Sequence, residues 1–120
     1  EADPAQPAFE YALFVKSQVM SVSVRHVVVD AGHKSHAIDS GLPRVWQAAL
    51  ECTACSDEHT TLRASEASNR LPGLGETVWL IPGHCDPTVN LHEHMIVVRG
   101  GLDSGRVEQI IRVDARGALT

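Results

Sequence analysis

The chain has 120 residues, 43% of them hydrophobic, which suits one domain with a real core. It is too short for an eight-fold β/α barrel, which needs about 250 residues. Ten basic against fifteen acidic residues give a net charge of −5, and the basic ones are scattered, so neither nucleic acid nor an anionic membrane surface is an expected partner. No apolar run approaches the roughly 20 residues of a membrane span.

Residues 1–8, EADPAQPA, carry two prolines and little to bury, and read as a linker, with one β domain over residues 9–120. Residues 9–23 alternate late in the run. Val15, Ser17, Val19, Ser21 and Ser23 share one face, and Lys16, Gln18, Met20 and Val22 the other, as in a partly covered strand. Residues 25–30, RHVVVD, are β-branched and predict a central strand. Ala31-Gly32 ends it, and residues 33–43 form a loop whose Asp39-Ser40-Gly41 and Pro43 are turn formers. His33 and His36 are expected there as solvated side chains.

Residues 44–55 predict strand at both flanks and a short helical turn between them. Cys52 and Cys55 are half of a zinc-ribbon spacing with no second half, so buried apolar cysteines are expected. With Cys85 they make three cysteines and no disulfide framework, which points to a reducing, cytoplasmic setting. Asp57, Glu58 and His59 are either a solvated turn or groups facing a site. Residues 60–65 predict a strand, 66–75 a loop and 76–81 a strand whose Trp79 is a core or interface aromatic. Residues 95–99 and 106–114 predict a hairpin around Gly100 to Gly105. Val107, Gln109, Ile111 and Val113 form the face expected to be better buried. Strands dominate throughout, so the expected fold is mainly β: a small barrel-like or sandwich-like antiparallel sheet with at most short helices.

The segment 81–90, IPGHCDPTVN, holds the chemistry. Side chains two apart on an extended segment point to one side, so His84 and Asp86 converge as half of a divalent-metal site. Pro82 and Pro87 suit a strand end that faces a ligand. The competing reading is a polar strand end with two exposed side chains. Thr88 and Asn90 are expected to fix the loop around the pair. His92 and His94, one pleat apart, are either further ligands or exposed strand-end histidines.

The run GETVWLIPGHCDPTVNLHEHMIVVRGG resembles the C-terminal domain of the D-threonine aldolase and D-serine dehydratase family. Residues 27–43, VVVDAGHKSHAIDSGLP, are similar to that family's DAG-x-K segment, and residues 56–60, SDEHT, to its acidic-His motif. The resemblance implies a pyridoxal-phosphate lyase of the alanine-racemase-like fold. The cofactor and its Schiff-base lysine would lie on an α/β barrel outside this sequence, and the chain reads as a fragment inactive alone. Lys34, matching the DAG-x-K lysine, takes a structural or site-lining role, or is a plain surface lysine. His84 and Asp86 are implied as ligands of Mn, Mg or Zn that holds the substrate's β-hydroxyl. Asp86, a hard oxygen ligand where the dehydratases have cysteine, favours cleavage of β-hydroxy-D-amino acids by a retro-aldol reaction over D-serine dehydratase-like elimination. A homodimer is implied as well. A non-catalytic metal-binding or interaction module is the alternative, as is a structural β domain.

Overall fold

The computed structural model describes residues 4–67 and 69–118. The expected linker at 1–8 lies partly outside them. Eight strands and one short helix follow in chain order: β1 (Val15–Val22), β2 (Val27–Val29), β3 (Arg44–Val45), β4 (Leu50–Cys55), β5 (Thr60–Ala64), β6 (Thr77–Ile81), α1 (Cys85–Val89), β7 (His94–Arg99) and β8 (Arg106–Arg112). Six strands form one antiparallel sheet in the order β3-β6-β1-β2-β5-β4. Its end strands, β3 and β4, are joined by residues 46–49 alone, with Gln47 at φ 50° in the turn. So short a link forces the two ends of the sheet towards each other, and the sheet curls into a nearly closed barrel. The fold is therefore mainly β and barrel-like, as expected.

Alternation in the sequence explains the barrel interior. Val19 of β1, Val27 and Val29 of β2, Leu62 of β5, and Val78 and Leu80 of β6 are all buried, with Ala31 among them. Ser17 lies on the same face of β1 as Val19, and its hydroxyl is satisfied by donation to the Val78 carbonyl at 2.6 Å. The β-branched run at Val27–Val29 takes the central place expected of it, between β1 and β5. Trp79 is half-buried: its Nε1 donates to Asp103 Oδ1 at 2.9 Å and Lys16 lies over its ring.

Among the described residues β7 and β8 pair only with each other. Their turn needs glycine: Gly100 and Gly101 sit at φ 91° and 105°, and a Cβ on Gly105 would strike the Gly101 carbonyl. No residue of β8 is buried, but the two faces differ: Met95 and Val97 of β7 are half-buried and stand opposite Ile111 and Gln109, on the face expected to be better covered. Ile96 stands directly opposite Ile110, and both are 63% exposed.

Candidate functional site at one end of the barrel

Because the sheet is antiparallel, the chain leaves β2, turns from β4 to β5, and leaves β6 at the same end of the barrel. Three segments therefore gather there: the loop 31–43, the turn 56–59 and the stretch 82–92. Gly32 seats the first against the second. It is buried, and a Cβ there would fall 2.5 Å from His59 N and 2.6 Å from Glu58 N. His33 N and Lys34 N donate to the Ser56 and Asp57 carbonyls, each at 2.9 Å.

The stretch 82–92 is not extended. His84 is the N-cap of α1 at φ −145°, ψ 119°, and the chain is helical from Cys85 to Val89. Pro87 is compatible because it falls in the first turn, where backbone N–H groups have no partner within the helix. The rule that residues two apart share a side therefore does not govern His84 and Asp86. Asp86 nonetheless lies near enough for its charge to favour the protonated imidazole.

His84 is held by a group 45 residues away. Its Nδ1 is 2.6 Å from Asp39 Oδ2, in the loop after β2. This hydrogen bond is the main reason the His84 pKa is raised, and the same bond holds the Asp39 carboxyl below its ordinary value. An ionised carboxylate only accepts, so the proton of this bond belongs to His84 Nδ1. Sequence reasoning passed over Asp39 as a turn residue. Thr88, buried within α1, donates to the His84 carbonyl at 2.7 Å and accepts from Ala37 N at 3.0 Å. It thus ties His84 to the loop that carries Asp39. Asn90 holds a different segment: its Oδ1 accepts from Gly117 N at 2.8 Å.

Glu58 accepts from Lys34 Nζ at 2.7 Å, and both side chains are well exposed. Glu58's hydrogen bond and charge raise the Lys34 pKa. Asp57 is exposed and His59 half-buried in the same turn, and Cys85 is exposed on α1.

Three further expectations are corrected. His36 is not solvated: it is 0% exposed, with Nε2 3.4 Å from Thr60 Oγ1 and Nδ1 unpartnered. Burial is the main cause of its lowered pKa. His33 is half-buried, its Nδ1 3.7 Å from Cys55 Sγ. His92 is no strand-end histidine: it is half-buried, and its Nε2 donates to the Ser35 carbonyl at 2.7 Å. Cys52 and Cys55 are half-buried rather than buried, and burial pushes the Cys52 thiol up to about 12.

Among the described residues no three His, Cys, Asp or Glu side chains gather as a metal-holding group. The donor set available to a cation is smaller: His84 through Nε2 and the exposed carboxylate of Asp86. Asp39 meets the ring at Nδ1, on the side away from Nε2, so it cannot join the same ion as a third ligand. An imidazole nitrogen and a carboxylate oxygen are donor types that Mn, Mg or Zn accept.

A family described as "Putative serine dehydratase domain" matches residues 12–98. A D-threonine aldolase of Arthrobacter sp is 42% identical over 112 residues, covering 92% of this chain and 28% of the relative. A 3-hydroxy-D-aspartate aldolase of Paracoccus denitrificans is 40% identical over 114 residues, 93% of this chain and 28% of the relative. The crystal structure of D-threonine aldolase from Filomicrobium marinum superposes with a TM-score of 0.88 at 44% identity, over 100% of this chain and 32% of that one. The chain thus spans less than a third of the length of these relatives.

Proposed function

The chain belongs to the serine dehydratase domain family, and on that premise we propose that it is the C-terminal, metal-binding part of a pyridoxal-phosphate lyase. The whole enzyme would cleave β-hydroxy-D-amino acids by a retro-aldol reaction. What supports this reading most is that the chain is at least 40% identical to two aldolases acting on such compounds by name, with His84 and Asp86 both in the stretch 82–92 at one end of the barrel.

Each residue has a task. His84 offers Nε2 and Asp86 a carboxylate to one cation, which when bound supplies charge that lowers the pKa of a coordinated hydroxyl. Thr88 and the loop 31–43 keep His84 in place. Asp57, Glu58 and His59 border the same end and are proposed to face the substrate. We place pyridoxal phosphate and its Schiff-base lysine on the barrel that the resemblance implies; on this chain Lys34 is engaged by Glu58 and Lys16 lies over Trp79.

Membership of a serine dehydratase family favours one second reading, elimination from D-serine. The reading also includes a homodimer, with the exposed Ile96, Val107 and Ile110 of the hairpin offered to the second copy. A cytoplasmic setting is proposed from the three free cysteines. No helix among the described residues is long and apolar enough to cross a membrane.

The test is the full-length protein with D-threonine, L-threonine and D-serine, with and without Mn²⁺ after chelation. Metal-dependent release of aldehyde and glycine from D-threonine alone is expected, reduced at least about 100-fold in Asp86→Ala. Release of pyruvate and ammonia from D-serine as the main reaction would favour the dehydratase reading.

A further inference from the structure

Asp39 holds the His84 ring, and its own placement is tightly determined. The loop that carries it is fastened to the stretch 82–92 at four points. His92 donates to the Ser35 carbonyl at 2.7 Å, and Ala37 N donates to Thr88 Oγ1 at 3.0 Å. Gly83 packs so closely on the loop that a Cβ there would sit 3.0 Å from the Gly41 carbonyl. The fourth point is the 2.6 Å bond from His84 Nδ1 to Asp39 Oδ2 itself. Backbone contacts on both sides of Asp39 thus deliver its carboxylate to one nitrogen of one ring.

Which imidazole nitrogen is free for a ligand is set by the hydrogen bond the other nitrogen makes. A neutral ring left to water exchanges its proton between the two. We propose that Asp39 is the positioning residue of the site: its carboxylate fixes the His84 proton on Nδ1 and presents a bare Nε2 as the ring's ligand atom. The bond also fixes the plane of the ring, so Nε2 is aimed before any ion arrives. Asp39 touches neither ion nor substrate and acts only through His84. This inference rests on the reading of His84 and Asp86 as cation ligands.

The experiment has two readouts on the full-length protein, wild type, Asp39→Asn and Asp39→Ala. The first is the His84 tautomer without metal, from ¹⁵N-histidine spectra above the pH at which the ring loses its charge, with the signal identified by its loss in His84→Gln. The second is Mn²⁺ affinity by calorimetry. The wild-type ring is expected as the Nδ1–H form. In Asp39→Ala it is expected to shift towards the Nε2–H form, with Mn²⁺ affinity lower by about 10- to 100-fold. Asp39→Asn, whose side-chain oxygen still accepts the proton without a charge, is expected to fall between the two. A ring that stays Nδ1–H in Asp39→Ala overturns the inference, whatever happens to affinity, and leaves the metal reading standing. An unchanged affinity in the face of a changed tautomer overturns it too. Wild-type protein that binds no Mn²⁺ overturns the metal reading itself, and is told apart because the tautomer is read without metal.

Discussion

The barrel and the hairpin are written in the same alphabet of alternating β-branched residues and end in opposite environments. Val19, Val27, Val29, Leu62 and Leu80 lie in a dry interior, whereas Ile96 and Ile110, paired across β7 and β8, are each 63% exposed. Period two tells which side chains share a face. Whether that face is covered depends on what closes over it, and the four-residue link between β3 and β4 does so only for the first six strands. In the hairpin the face of Ile96 and Ile110 is left open.

Substitutions should therefore separate the two regions sharply. Leu80→Ala, at a fully buried position of β6, is expected to lower the unfolding free energy of the chain by about 3 kcal/mol, read by urea denaturation. Gly32→Ala drives a methyl into the Ser56 carbonyl and the backbone of the 56–59 turn, and should lower it by about 2 kcal/mol through overpacking. A wild-type value in either variant would break the picture of a barrel closed by its end loops.

The buried His36 adds a pH signature to the barrel side. Its folded pKa is lowered, so below the ordinary value of 6.5 the unfolded chain takes up a proton that the folded chain refuses. Its contribution to stability is present above that pH and is lost as pH falls towards the folded pKa. Denaturation midpoints should drop on acidification through this window, and His36→Gln should flatten that part of the slope. The smallest effect belongs to the hairpin. Ile110→Ala should change the stability of the monomeric chain by no more than about 0.5 kcal/mol. In the full-length protein, Ile110→Glu should instead weaken the proposed dimer, read by sedimentation equilibrium. A dimer unaffected by that charge would remove the hairpin from the interface.

Much of the barrel was legible because its signals are local. The alternation from Val15 to Val22, the run Val27–Val29 and the strand ending at Ile81 each carry their own period. The site was legible only in part. His84 and Asp86 were singled out on the assumption of an extended segment, because Pro87 suggested a strand end, when a proline three residues past an N-cap suits a helix equally well. Asp39 was invisible for a different reason: its partner is 45 residues away, and only the meeting of two loops at one barrel end joins them. His36 was misread for the same cause, since nothing in HKSHAID shows that the loop folds inward over Thr60.

Where a cation sits on the molecule is the direct measurement. Mn²⁺ broadens the magnetic-resonance signals of nuclei close to it. Titrated into the isotope-labelled full-length protein at low stoichiometry, it should erase the amide signals of His84, Cys85, Asp86 and Asp39 first. Residues 69–75 at the far end of the barrel should stay sharp, and Asp86→Ala should abolish the selective loss. Broadening centred on any other cluster, or unchanged in Asp86→Ala, would contradict the assignment of His84 and Asp86 as the cation's ligands.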